Sequence, residues 1–352
     1  MISQQHLPEA DLDLRRSLTP EPVLSRLPPA NPAEPEVPLA PSYRRPRIGL
    51  ALSCGAAKGL AHIGVIQVLE EHGIHIDAIA GSSMGAYIGA IWGFGHTGME
   101  MEALACELEG HWSLLKLLDP AFLPRRGFLK GERVKRRIQK TIGTLQFSDM
   151  VRPVKIVATD LQTLERKVFS QGEVAAAVHA SVAIPGVCIP VRIDGREYMD
   201  GGIADPLPVD VLREMGMDRI IAVNTIPTPS FMCCCEERER EEADRVGKRS
   251  GWLSWLNAQL NVFANGNILD TMMRAVHGAQ LRVAEASGRR ADLVLRPLSI
   301  EASWIEFDRP MKYIEIGRRV AEQRMDEIQA LLQERIPTHE HTRAHLALGS
   351  VV

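Results

Sequence analysis

A serine framed by glycines stands at the centre of Gly81-Ser82-Ser83-Met84-Gly85. A serine hydroxyl is nearly inert at neutral pH, so it acts as a nucleophile only where the backbone thrusts it into a cleft beside a base. The flanking residues predict such a place. Residues 76–80 form a short β-branched run that reads as a strand, and 83–94 reads as a helix that begins at once. A strand turning into a helix through G-x-S-x-G presents its central serine on a tight elbow, with the helix N-terminus behind any developing negative charge. Gly85, Gly89 and Gly93 recur every fourth residue, which leaves one helix face bare and able to lie close to a sheet. The same five residues would also serve as a plain helix N-cap, so the motif does not decide by itself.

Acyl transfer passes through a tetrahedral oxyanion, and amide donors fixed at its position lower the barrier. The glycine-rich turn after the first predicted strand, Ser53-Cys54-Gly55-Ala56-Ala57-Lys58-Gly59, exposes successive N–H groups. Gly55, Ala56, Ala57, Lys58 and Gly59 are the expected oxyanion-hole residues. Phosphate binding is the competing reading, but Lys58 precedes Gly59, against the P-loop order, and no full G-x-G-x-x-G is present. Asp200 is the best base. Residues 192–199 read as β structure, and Gly201 and Gly202 let the chain turn so that a carboxylate enters the site from a strand end. A bare Asp-Gly-Gly is also a common turn.

A Ser-Asp-His triad is the rival arrangement. Downstream of Asp200 stand only His277, His339, His341 and His345; His277 falls inside a helical pattern and the others in a polar tail. A dyad of Ser83 and Asp200 is therefore favoured, and His62 and His179 read as structural. Of six cysteines, Cys54, Cys106 and Cys188 stand alone and Cys233, Cys234 and Cys235 are consecutive, none at zinc-site spacing. No metal and no organic cofactor is expected. The concentrated basic stretch, Arg125, Arg126, Lys130, Arg133, Lys135, Arg136, Arg137 and Lys140, reads first as a solvated face and second as a headgroup contact.

The elements that must position these groups alternate between short apolar runs and helical patterns, the mark of a mostly parallel sheet covered by helices. Strands are predicted at 47–52, 76–80, 154–160, 219–224 and 292–295, and helices at 60–72, 83–94 and 309–336. Residues 1–46 hold ten of the 22 prolines and one aromatic residue, too little apolar surface to offset the entropy of ordering, so a disordered tail is expected. One catalytic domain over 47–335 follows, with a polar, Cys-containing excursion at 228–250 and a C-terminal tail at 336–352. A net charge of −3 in 352 residues gives no global field for nucleic acid. Without a signal-peptide pattern or a run of about 18 apolar residues, the chain reads as cytoplasmic, with peripheral membrane contact at the inner face at most.

Taken together, Gly55-Ala56-Ala57-Lys58-Gly59, Gly81-Ser82-Ser83-Met84-Gly85, Ala180-Ser181-Val182-Ala183-Ile184-Pro185-Gly186 and Asp200-Gly201-Gly202 appear in the order of the patatin-like phospholipase family, which the chain resembles from Arg47 to about Arg335. The departure is in the first block, where Cys54 and Ala56 replace glycines of the family's usual run. The resemblance implies a three-layer α/β/α fold and a Ser–Asp dyad without histidine, acting on phospholipid or other acyl esters. An acyltransferase, or a non-catalytic protein retaining the fold, stays open as an alternative, and oligomeric state is not legible. Trp252, Trp255, Leu256 and Phe263, in an apolar pattern at 252–263, are the candidate lipid-contact residues.

Overall fold

The computed structural model describes residues 43–107, 119–121, 126–228, 231, 268–298 and 307–337. Its strands are β1 (Tyr43–Arg44), β2 (Ile48–Leu52), β3 (Ala78–Ser82), β4 (Val154–Asp160), β5 (Arg166–Phe169), β6 (Val191–Ile193), β7 (Arg196–Asp200), β8 (Arg219–Val223), β9 (Leu293–Leu295) and β10 (Ile336–Pro337). The helices are α1 (Ala61–Glu71), α2 (Met84–Phe94), α3 (Gly98–Cys106), α4 (Glu132–Ile142), α5 (Val174–Ser181), α6 (Val209–Glu214), α7 (Ile268–Gly288), α8 (Pro310–Gln323) and α9 (Met325–Gln333). A 3-10 turn, Ala56–Leu60, leads directly into α1.

The main sheet follows the path β6-β7-β4-β3-β2-β8-β9, with β5 also paired to β4. Pairing is parallel from β4 through β3, β2 and β8 to β9, and antiparallel where β5, β6 and β7 join. The strands show why they form the middle of a layered fold. Along β2 every residue is buried, so its sequence reads as an unbroken apolar run. Alternate residues nevertheless enter different cores: Ile48, Leu50 and Leu52 join one apolar cluster with α1, α2, α5 and α8, whereas Ala51 joins a second with α6 and α7. Ile156 and Val157, and Ile221 and Ala222, divide in the same way. Two apolar layers on the two faces of one sheet make the fold a three-layer α/β/α sandwich with a mostly parallel centre.

Several elements differ from their predicted limits. β3 begins at Ala78 instead of at Ile76 because the intervening Asp77 accepts from the Ile48 amide (2.7 Å) and the Arg45 guanidinium (2.6 and 2.8 Å), so pairing with β2 starts one residue later, at Gly49 opposite Ala78. The long C-terminal helix is two, broken at Arg324, whose amide closes a short turn on Ala321 O (3.2 Å). Residues 192–199 form a hairpin, β6 to β7, turned at Asp194 and Gly195, which both have positive φ (49° and 79°) as a type I′ turn requires. β1 pairs antiparallel with β10, Tyr43 opposite Pro337, just outside the expected limits of 47 and 335. Residues 1–42, the cysteine run at 233–235 and the segment 252–263 lie outside the described residues.

Candidate active site

β4 carries both halves of the site on one edge. Ile79 N donates to Pro153 O (2.9 Å) and Leu161 N donates to Glu197 O (2.8 Å), whereas Asp160 N donates to Glu165 O (3.0 Å), toward β5. Successive residues of a strand present their backbone groups to opposite edges, so residues 153 and 161 face one edge and 160 the other. β3 therefore runs up the edge of β4 that β7 runs down. β3 ends with Ser82 opposite Val157, and β7 ends with Asp200 opposite Ala158. The strands meet end to end on successive rungs, and the chain after each must turn out of the sheet. At Gly201 there is no room for a side chain: a Cβ would lie 2.2 Å from Val157 O and 2.7 Å from Ser82 Oγ.

Ser83 makes that turn at φ 53°, ψ −119°, outside the regions that L residues favour. Such backbone strain costs on the order of 1–3 kcal/mol and persists only where the surroundings enforce it. Here they do. The Ser83 amide donates to Ser181 Oγ (2.8 Å), and α2 begins at the next residue. The bare glycine face of α2 lies on the sheet as its spacing predicts: a Cβ would meet Leu52 O at 2.2 Å from Gly85, Ile79 Cγ2 at 3.0 Å from Gly89, and Val154 Cγ2 at 2.2 Å from Gly93.

Ser83 Oγ donates to Asp200 Oδ2 over 2.6 Å, and both residues are buried, at 6% and 4% exposure. Asp200 Oδ1 accepts from Gly202 N (2.7 Å), its backbone oxygen accepts from Thr159 Oγ1 (2.8 Å), and its amide donates to Ala183 O (2.9 Å). Burial raises the carboxyl from its ordinary 3.8 to about 6, against the opposing pull of the Ser83 and Gly202 donors. Among the described residues no histidine donates to either member of the pair. His277 lies on α7, hydrogen-bonded to the Pro227 carbonyl and held below the usual histidine range by burial and by the nearby Lys58 charge. His62 Nε2 bonds Ser53 O (2.9 Å) and burial lowers it to about 4; His179 Nε2 bonds Lys130 O (3.2 Å).

The glycine-rich turn reaches the same place. A Cβ at Gly202 would lie 2.9 Å from Cys54 Sγ, 2.9 Å from Asp200 Oδ1 and 2.8 Å from Gln280 Nε2 of α7. Cys54 needs no left-handed backbone; the residue that adopts it is Ala56, at φ 47°. Burial, followed by the Asp200 charge, pushes the Cys54 thiol well up, so it lines the site as a neutral group. Of the expected oxyanion donors, Lys58 is turned inward, its amide bonded to Gly55 O (3.1 Å). Gly59 packs on Met84, where a Cβ would lie 2.4 Å from Cγ. Among the described residues no backbone acceptor is assigned to the amides of Gly55, Ala56 and Ala57. Their loop is tied down by Thr225, whose hydroxyl donates to Cys54 O (3.0 Å) and whose amide donates to Ser53 Oγ (2.9 Å).

Ser181 lies in the Ala180–Gly186 block, to whose serine the resemblance gives no role, and Thr159 and Thr225 are supporting residues outside every motif. Their signal is a hydroxyl in an otherwise apolar run, which is weak. The basic stretch is largely helix α4, and its cations include several with internal partners, among them Arg126 with Glu197 (2.7 Å), Lys135 with Glu173 (3.4 Å) and Arg137 with Glu107 (3.3 Å). No helix among the described residues is long and apolar enough to cross a membrane.

Residues 50–213, which span the loop, the elbow and the Asp-Gly-Gly turn, match the family model described as patatin-like phospholipase. An uncharacterized NTE family protein of Mycobacterium tuberculosis is 40% identical over 186 residues, 51% of this chain and 49% of the relative. A lysophospholipase nte1 of Aspergillus fumigatus is 33% identical over 178 residues, 50% of this chain and 12% of the relative. The chain thus spans about half the length of the mycobacterial relative and a small part of the fungal one. Among solved structures, VipD of Legionella pneumophila overlays with a TM-score of 0.39 at 14% identity, covering 82% of this chain and 68% of that one. Residues 50–213 thus carry a domain of the patatin-like phospholipase family.

Proposed function

We propose that this chain is a serine acyl hydrolase that cleaves carboxylic ester bonds of phospholipids or related acyl lipids, with Ser83 as nucleophile and Asp200 as base. The observation that carries this reading is the 2.6 Å hydrogen bond from Ser83 Oγ to Asp200 Oδ2 at the junction of β3 and β7. The family and the fungal relative's name, lysophospholipase, support the lipid ester as substrate class. As Ser83 Oγ attacks the ester carbonyl carbon, its proton passes to Asp200 Oδ2 and the carbonyl electron pair moves onto oxygen, toward the amides of Gly55, Ala56 and Ala57. Collapse expels the alcohol, which takes the proton from Asp200, and leaves the acyl group on Ser83. Water then attacks the acyl carbon as Asp200 takes one of its protons; Ser83 Oγ leaves, regains that proton, and the free acid departs.

A carboxyl lifted to about 6 is still ionised at neutral pH and is a better base than one at 3.8. Trp252, Trp255, Leu256 and Phe263 keep their proposed lipid contact, and with it peripheral membrane binding. The test is hydrolysis of p-nitrophenyl esters, lysophospholipids and phospholipids by wild type and Ser83→Ala, together with fluorophosphonate labelling. Wild type should turn over and be labelled at Ser83, and the variant should do neither. A folded Ser83→Ala that hydrolyses at the wild-type rate would overturn the assignment, and acyl transfer to an added alcohol in preference to water would make the chain a transferase.

A further inference from the structure

Ser181 takes no part in the chemistry above, yet it is fully buried at the place where both reacting residues leave the sheet. Its hydroxyl is used twice. It donates to Val157 O (2.6 Å), on the β4 residue opposite the end of β3, and accepts from the Ser83 amide (2.8 Å). Its backbone oxygen accepts from Gly201 N (3.1 Å), and two residues later Ala183 O accepts from Asp200 N (2.9 Å). The end of α5 therefore grips the backbone of nucleophile and base from one side.

The Ser83 amide needs an outside acceptor. Ser83 precedes the first residue of α2, and its backbone conformation points the amide away from the helical ladder. Without Ser181 Oγ this amide would be a buried donor with no partner, and the elbow would relax toward a conformation that satisfies it. The bond also has a chemical corollary. An amide already given to Ser181 is not available to an oxyanion, so the hole must be built from the 55–57 loop and from amides after Ser83.

We propose that Ser181 is a positioning residue for the reaction: by bridging Val157 O and the Ser83 amide, it holds the strained elbow so that Ser83 Oγ meets Asp200. The inference rests on Ser83 being the nucleophile. The test compares wild type, Ser181→Ala and Ser181→Cys, whose thiol is a weaker donor and acceptor. Rates are normalised to folded protein by near-UV circular dichroism. For Ser181→Ala, kcat on a soluble p-nitrophenyl ester and the rate of fluorophosphonate labelling should fall together by about tenfold to a hundredfold. KM should stay within about twofold. Ser181→Cys should fall between, and the acidic limb of the pH profile should move to higher pH in Ser181→Ala, because a relaxed elbow withdraws the Ser83 donor that opposes the effect of burial on Asp200. A purely structural role would change the folded fraction and leave the rate constants alone.

Amide hydrogen exchange of wild type reads the same bridge without any variant and without activity. The Ser83 amide should be protected well beyond that of Met84, which opens α2 without an intrahelical acceptor. A folded Ser181→Ala labelled at the wild-type rate, or an unprotected Ser83 amide, overturns the proposal. Failure of wild type to label at Ser83 instead overturns the nucleophile assignment, and exchange then still decides whether the bridge exists.

Discussion

Ser83 and Asp200 lie 117 positions apart in the chain, yet a 2.6 Å hydrogen bond joins them where β3 and β7 stop end to end along one edge of β4. The pairing register sets this contact. Ser82 opposes Val157 and Asp200 opposes Ala158, so neither strand can advance a rung without colliding with the other. A one-residue slip of β7 would turn the Asp200 side chain to the opposite face of the sheet.

Because only the ionised carboxylate can take a proton, activity should follow the charge of Asp200. Its carboxyl sits near 6, so kcat/KM on a soluble p-nitrophenyl ester should be level around pH 8 and fall about tenfold per pH unit below about 6. His62 and His277 do not touch the pair and should add no further limb in this range. A profile that stays flat down to about pH 5 would mean that some other group is the base.

The same burial makes Asp200 a charge that the fold tolerates at a cost. In the folded protein the carboxyl keeps its proton up to about 6, whereas its ordinary value is 3.8. Folding thus takes up a proton between those values. This group's contribution is fully present below about 4 and is lost as pH rises through about 6, a difference on the order of 3 kcal/mol. Asp200→Asn, which carries no charge, should melt about 6 °C above wild type at pH 8 and nearly level with it at pH 4. Coincident melting curves at both pH values would show that Asp200 carries no such penalty.

The parts of the site visible in the sequence are those where backbone geometry restricts residue type. Gly85, Gly89 and Gly93 mark a helix face pressed on a sheet, and Gly201 marks a turn with no room for a Cβ. Ser181, Thr159 and Thr225 are different. Each is a single hydroxyl whose partner lies far away, 98 positions from Ser83 for Ser181 and 171 from Cys54 for Thr225, and no local periodicity encodes such a pairing. The break at Arg324 is invisible for a related reason. Ile314, Met325 and Ile328 continue the apolar spacing across it, so the pattern reports the buried face and not the continuity of the backbone. Likewise the β3 boundary depends on Asp77 bonding the Ile48 amide, a contact between two strands that a single run does not contain.

Two glycines of α2 should separate backbone contact from side-chain contact. An alanine at Gly85 would place its Cβ 2.2 Å from Leu52 O and 2.7 Å from Ser53 O, atoms held in the sheet and in the loop. At Gly89 the contacts are Ile79 Cγ2 at 3.0 Å and Leu52 Cδ1 at 3.4 Å, which can give by a few tenths of an ångström. Alanine also gains about 1 kcal/mol over glycine in a helix interior. Urea melts should therefore find Gly89→Ala within about 1 kcal/mol of wild type and Gly85→Ala destabilised by about 3 kcal/mol or more. Equal effects at the two positions would contradict the close seating of the elbow on β2.

Gly55 and Thr225 test the loop on the other side of Ser83. Thr225 has one hydroxyl proton, given to Cys54 O, so the 3.1 Å contact with Ser53 requires Ser53 Oγ to donate to Thr225 Oγ1. Thr225→Val breaks both hydroxyl bonds and leaves the loop carrying the 55–57 amides held by the backbone amide of residue 225 alone. If those amides hold the oxyanion, kcat should fall about tenfold or more with KM little changed, and Thr225→Ser should restore it. Gly55→Ala should fail for the complementary reason, since its Cβ would lie 2.1 Å from Thr225 Oγ1. Removing that hydroxyl makes room for the methyl group. In the double variant Gly55→Ala, Thr225→Ala the combined loss in kcat should therefore be smaller than the product of the single losses. Losses that simply multiply would show that the two residues act independently and that Thr225 does not set the position of the Gly55 amide.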